Sequence, residues 1–158
     1  MADDLASFQA KLQALGRSAS KYVGKAMETS AEEICDLARA ACPVDDGDLK
    51  KSIGWTWGDA PKGSVSIGTV GDNAAMRITI YAGDAKAYYA RWVEFGTKAH
   101  AIGKGSNSKL KGKSNQTGAQ HNGARARPFF FPAYRLGRKR AINRIKRAIS
   151  KAVKEAAT

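Results

Sequence analysis

Apolar residues recur every three or four positions through the first part of the chain: Phe8, Leu12, Leu15, Ala19, Val23, Ala26, Met27, Ala31, Ile34 and Ala38. That spacing predicts one face of an α-helical region from about Asp4 to Ala41, with Asp3 or Asp4 available to cap its start. Gly16 and Gly24 weaken its middle and predict a bend or a split. Pro43 sets its end, because proline disfavours helical geometry at the residue before it. The pattern then changes to period two. Ile53, Trp55 and Trp57 alternate with Gly54 and Thr56; Val65, Ile67 and Thr69 with Ser66 and Gly68; Met76, Ile78 and Ile80 with Arg77 and Thr79. Three half-buried antiparallel strands follow from that alternation, joined by turns at Asp59–Gly63 and Gly71–Asn73. Helical spacing returns at Tyr88–Phe95, where Gly96 is placed to stop the helix in a left-handed conformation. From Pro132 to about Ala156, the residues Leu136, Ile142, Ile145, Ile149 and Val153 read as the packed stripe of a second long helix.

These elements predict an α+β fold: an antiparallel sheet of three or more strands packed against a long N-terminal helical region and a long C-terminal helix. The 158 residues suit a single domain, 1–158. Only Lys98–Arg127 resists the pattern, being rich in Gly, Ser, Asn and Lys and without periodicity. A stretch of that length inside a compact domain is a functional loop or a segment ordered by a partner. The expectation is a long, flexible, basic loop at 98–127.

Charge sharpens this division. Residues 1–97 carry 11 Lys/Arg and 13 Asp/Glu, whereas residues 98–158 carry 16 Lys/Arg and a single acid, Glu155. The net +13 therefore belongs to the C-terminal part, and it predicts an anionic partner there, either nucleic acid or an acidic protein surface. Arg138, Arg140, Arg144, Arg147 and Lys151 on the second long helix are the candidate contacts. Against nucleic acid, no aromatic follows Tyr134 to stack on bases, and no zinc spacing, phosphate loop or recognition-helix module is present. No apolar run approaches the roughly 20 residues that span a bilayer, so no membrane partner is expected. The acidic start, MADDLASFQ, lacks the order of a signal peptide, which predicts synthesis in the cytoplasm. Cys35 and Cys42, seven residues apart, are expected as reduced thiols. His100 and His121 have no companions at ligand spacing, so neither a metal nor another cofactor is expected.

Three short words remain. PVDDGDLKKSI (Pro43–Ile53) reads as a helix-to-strand junction in which Asp46 or Asp48 caps backbone amides, Gly47 turns the chain, and Leu49 and Ile53 anchor it. YYARWVEFGT (Tyr88–Thr97) carries more large side chains than one buried stripe holds. Trp92 and Phe95 are expected in the core, and Tyr88, Tyr89 and Val93 at a subunit contact, where tyrosine is favoured. In RPFFFPAYR (Arg127–Arg135) three consecutive aromatics cannot all face one way, so one or two enter the core and another meets a neighbour. The candidate interface is thus Tyr88, Tyr89, Trp92, Val93, Glu94 and Phe95 with Phe129, Phe130 and Phe131. Asp46, Gly47 and Gly96 are candidate structural turns. No nucleophile–base pair stands out, so the chain is expected not to be an enzyme.

Taken together these words resemble the neck or tail-completion proteins of long-tailed double-stranded DNA phages. The likeness rests on Pro43, Val44, Asp46, Gly47, Leu49, Ser52 and Ile53, then on Tyr89, Val93, Glu94, Phe95, Gly96 and Thr97, then on Pro128, Phe129, Pro132 and Ala133. The segment Lys98–Arg127 departs from it. The resemblance implies a structural virion protein, made in the bacterial host cytoplasm, that acts at the head–tail junction to complete the tail or join it to the head. It also implies assembly with itself into a ring, often hexameric, and contact with other neck or tail-tube proteins. A ring requires two different patches that fit each other. The alternative reading is a non-specific nucleic-acid-binding protein using the basic C-terminal helix; within a neck, contact with genomic DNA would have to be loose.

Overall fold

The computed structural model describes residues 2–70, 76–101 and 120–157, with side chains placed at 13, 16–17, 19–66, 76–100 and 121–155. Its elements are α1 (Ala2–Ala41), α2 (Asp48–Lys51), β1 (Gly54–Trp57), β2 (Val65–Val70), β3 (Ile78–Ala82), α3 (Ala90–Phe95), β4 (His100–Ala101), β5 (Gln120–His121) and α4 (Phe130–Ala157). The α+β architecture matches the sequence pattern. α1 is a single helix of 40 residues and is neither split at Gly16 nor at Gly24. The side chains of Phe8, Leu12 and Leu15 lie outside the described residues, as does the turn at Gly71–Asn73.

β3 is the central strand, with β1 and β2 antiparallel on either side of it. Trp55 pairs with Ile80 and Trp57 with Ile78, so the apolar positions of both strands share one face. That face meets α1 in matched steps. The Trp55 indole N–H donates to Glu32 Oε2 at 2.7 Å and the Trp57 indole to Glu28 Oε1 at 3.2 Å. Two residues along a strand and four along a helix advance by nearly the same length, about 6.7 and 6.0 Å.

The alternation expected for β2 fails. A bulge between Ser66 and Gly68 shifts the register, so Thr69 pairs with Thr79 and Val70 with Ile78. One extra residue is enough to exchange the two faces of a strand. Thr79, polar and expected wet, is buried, and its hydroxyl donates to the Gly58 carbonyl at 2.5 Å.

α4 packs antiparallel on α1: Ile34 meets Gly137, Glu33 meets Arg140 and Arg144, and Tyr22 meets Glu155. The seam of α4 is built from Phe130, Ala133, Gly137 and Ala152, with Ala141 and Ile145 partly covered. The expected stripe is therefore displaced. Leu136, Ile142, Ile149 and Val153 are exposed and only Ile145 of that set joins the core. The cause is the closeness of the two helices: a Cβ built on Gly137 would stand 2.5 Å from Ile34 Cγ1. Small residues line a seam this tight, and the larger aliphatic ones are left outside it.

The core behind the site gathers Met27, Ala31, Ile34, Cys35 and Ala38 from α1, Leu49 and Ile53, Ile78 and Ile80 from β3, and Phe129 and Phe130 at the start of α4. Each such side chain contributes roughly 1.5–3 kcal/mol on burial. Cys35 and Cys42 are free and buried.

Candidate interface at the meeting of the three sequence words

Each word first does a structural task. In PVDDGDLKKSI, Gly47 adopts φ 80°, and α2 is closed by Lys51 N–H to Gly47 O at 3.1 Å and Ser52 N–H to Asp48 O at 3.0 Å. Leu49 and Ile53 are buried, as expected. The capping role expected of Asp46 or Asp48 is not found: among the described residues, backbone groups close the turn and no carboxylate caps it. The polar link that sequence reading missed is Ser52. Its buried hydroxyl donates to Leu49 O at 2.7 Å and accepts Gly83 N–H at 3.0 Å, tying the junction to the end of β3.

Past β3 the carboxylate of Asp84 accepts the amides of Lys86 and Ala87, each at 2.8 Å. These bonds, Ala87's first, hold its carboxyl below the usual range and turn the chain into α3. There Glu94 is buried. Its Oε2 accepts the backbone N–H of Phe129 at 2.9 Å and of Phe130 at 3.0 Å, and its Oε1 that of Phe131 at 3.1 Å. A carboxylate suits this place, since the first amides of a helix lack intrahelical partners and the helix dipole is positive there. Pro132 sits in the first turn, where its missing N–H costs nothing.

Gly96, with φ 71°, lets the returning chain pass close: a Cβ would stand 2.6 Å from Ala124 O and 2.8 Å from Ala126 N. Thr97 and Ala124 exchange backbone hydrogen bonds at 2.9 and 3.1 Å, and Arg127 N–H donates to Val93 O at 2.8 Å. The loop predicted at 98–127 is thus not structureless at its ends. His100 and Ala101 pair with His121 and Gln120 as β4 and β5, with the two imidazoles stacked 5.0 Å apart. Residues 102–119 lie outside the described residues.

What these scaffolds enclose is a groove of about 520 Å³. Its floor is Leu49, Tyr89 and Val93. Val44 and Asp45 form one lip, Arg125 and Arg127 the other, and Trp92 stands at the rim. All three words therefore converge here. The lips carry opposite charge over an apolar floor. The Tyr89 phenol is pushed up, chiefly by burial and then by Asp48, Asp46 and Asp45 nearby. Arg125 is not singled out by the sequence, and Val44 and Arg127 stand out there only as members of motifs, since neither lip has meaning until the fold brings residues 44 and 125 together.

The nine interface candidates divide into three groups. Tyr88, Trp92 and Phe95 are exposed, at 60%, 51% and 57%, which corrects the expectation that Trp92 and Phe95 are core. Tyr88 and Trp92 pack edge to face at 5.5 Å, and Phe95 leans on half-buried Phe131 at 5.7 Å. Tyr89 and Val93 are half-buried. Glu94, Phe129 and Phe130 are interior, so within this chain they position the site and present no surface to a neighbour.

The basic helix divides likewise. Arg140 reaches Glu33 Oε1 at 2.6 Å, and Arg144 reaches Glu33 Oε2 at 2.7 Å and the Ser30 hydroxyl at 2.8 Å. Arg144 first, with Arg140, holds the Glu33 carboxyl below its ordinary range. An acidic partner for these two arginines is thus supplied by the chain itself. Lys151 lies over the Tyr22 ring at 4.6 Å, and Arg147 bonds Asn143 O of its own helix at 3.3 Å. Arg138 is exposed to solvent.

Among the described residues no group of three or more His, Cys, Asp or Glu side chains could hold a metal ion, and no helix is long and apolar enough to cross a membrane. No curated protein and no solved structure matches the chain. Residues 6–96 match the family model described as Bacteriophage HK97-gp10, putative tail-component. That segment holds α1, the PVDDGDLKKSI junction, the sheet and α3 as far as Gly96, more than half of the chain, and so this protein belongs to the HK97-gp10-like family of bacteriophage tail components.

Proposed function

We infer that this structural tail component acts as an oligomer at the head–tail junction, completing the tail or joining it to the head, and that the groove beside Trp92 receives an adjoining protein of the particle. One observation carries the reading: the three sequence words converge on a single concave surface whose rim holds solvent-exposed Val44 and Trp92, with exposed Tyr88 packed on the Trp92 ring. Exposed tyrosine and tryptophan around a partly apolar depression are characteristic of protein contacts. Among the described residues that line the groove none is a histidine, cysteine or serine, and the apolar floor between charged lips suits docking. Lips of opposite charge favour a partner that offers both signs, and they fix the direction in which it lies.

The test is complementation of a phage lacking this gene with Trp92→Asp or Arg125→Glu. Both positions are exposed, so the variants should fold with unchanged melting temperature. The expected result is normal heads and tails that fail to join, or tails left unfinished, seen by electron microscopy. Infectious particles at wild-type yield from both variants would overturn the reading.

A further inference from the structure

The two edges of the three-stranded sheet differ in kind. β2 is interrupted by the bulge between Ser66 and Gly68, a feature that spoils an edge for further pairing. β1 keeps an unbroken register with β3 from Gly54 to Trp57 and holds no charged residue, proline or bulge. An edge left in that state is a template for another strand.

The backbone of β1 is set out for one. Gly58 N–H donates to Arg77 O at 2.8 Å, in step with the ladder to β3. Alternate residues of an antiparallel strand face their partner. Gly54 and Thr56 therefore turn their peptide groups to β3, and Trp55 and Trp57 turn theirs outward. Among the described residues, both backbone groups of Trp55 and the N–H of Trp57 have no hydrogen-bond partner, and Trp57 O takes only the Thr56 hydroxyl, at 3.2 Å. The edge is closed just before Trp55, where Arg39 donates to Ile53 O at 3.0 Å.

Charge specifies the kind of strand. α1 packs over β1 and β3 and carries Glu28, Glu32 and Asp36 along this edge, about one helical turn apart. The same three carboxylates line an open depression of about 730 Å³ that reaches Trp55. Glu32 and Asp36 share Arg39, at 2.7 and 2.8 Å, and their side chains remain 50% and 67% exposed. Glu28 accepts the Trp57 indole and forms no ion pair among the described residues. In a chain of net charge +13 this row is a local surplus of acid. On a strand laid against β1, side chains two positions apart face α1 and advance by about 6.7 Å, against about 6.0 Å between the carboxylates. Cations at every second position therefore meet the row one after another.

We propose that β1 receives, as a fourth strand of the sheet, an extended segment of another protein that carries Lys or Arg at alternate positions. Main-chain bonds to Trp55 and Trp57 supply the attachment, and the carboxylate row selects the sequence. No residue of β1 lines the groove beside Trp92, so this contact goes beyond the function proposed above and stands without it.

The test is an NMR titration of the isotope-labelled full chain with two end-capped peptides of one composition, Thr-Lys-Val-Lys-Val-Lys-Thr and Thr-Lys-Lys-Lys-Val-Val-Thr. The alternating peptide should shift the amides of Trp55 and Trp57 and slow their hydrogen exchange. The block peptide should bind at least about tenfold more weakly. Trp57→Pro, which removes an outward donor, should abolish the shift at Trp55, whereas Trp57→Val should keep it. Glu28→Gln combined with Asp36→Asn should weaken binding about threefold to tenfold, and melting temperatures control for folding in every variant. Equal affinity for the two peptides, or shifts confined to residues outside β1 and α1, would overturn the proposal. Protection of Trp55 and Trp57 that grows with protein concentration alone would give the edge to a second copy and overturn a separate partner.

Discussion

Glu94 on α3 holds the first turn of α4 by accepting the amide of Phe130 at 3.0 Å across 36 residues of sequence. With Phe129 and Phe131 it satisfies three amides from one buried carboxylate. Glu94→Ala should therefore lower stability by about 2–4 kcal/mol, above the usual loss of a helix cap, because charged hydrogen bonds are removed and amides are stranded near the core. Glu94→Gln keeps one acceptor and should lose less. Urea unfolding at neutral pH measures both; a loss below about 0.5 kcal/mol for alanine would mean that the cap is dispensable.

The seam between the long helices gives a second expectation. Gly137→Ala adds a methyl group where Ile34 Cγ1 already stands 2.5 Å away. Overpacking of this kind costs about 1–3 kcal/mol, against a gain of about 1 kcal/mol in helix propensity. Thermal unfolding should show a net loss, and Ile34→Ala, which removes Cγ1, should cost less in the Gly137→Ala chain than in the wild type. Additive effects of the two changes would mean that they do not share the same space.

Ser52 bridges Leu49 O and Gly83 N–H from a buried position. Ser52→Ala leaves the Gly83 amide without its partner and should cost about 1–3 kcal/mol in chemical denaturation. Ser52→Thr, which keeps the hydroxyl, should cost less.

Acid should loosen the α1–α4 contact. The Glu33 carboxyl is held low by Arg144 and Arg140, so its contribution is present above the unfolded pKa and is lost as pH falls through the lowered native value. The melting temperature of the wild type should fall between about pH 5 and pH 3, and that of Glu33→Gln should fall less over the same range. Parallel curves would remove Glu33 from the account.

Burial pushes the Cys35 thiol up to about 12, and Cys42 is raised for the same reason. Thiolate is the reactive form. Ellman's reagent at pH 8 should label neither cysteine in the folded protein and both after unfolding in guanidinium.

Most of the framework was legible in the sequence because periodicity reports which face of an element is covered. It failed where small residues do the covering. Gly137, Ala141 and Ala152 carry too little apolar surface to outweigh Ile142, Ile149 and Val153, so the exposed flank of α4 looked like its seam. It failed again at β2, where a single extra residue near Ile67 leaves no compositional mark. Glu94 was noticed as an acid among aromatics, but its partners lie beyond the reach of local pattern. One hint was available: Arg127, Pro128 and Phe129 include no residue able to cap the helix that follows, so the cap had to come from elsewhere. Large apolar side chains make Trp92 and Phe95 look inward, but Ala90 and Glu94 occupy the inward positions of α3.

The clasp of Thr97 with Ala124 has a consequence for engineering. Once the two stems are fastened, lengthening the chain between them adds only about 0.6 kcal/mol for each doubling. Inserts of unlike size and composition can then be exchanged at one fixed address beside the groove, and the rest of the molecule need not register the change.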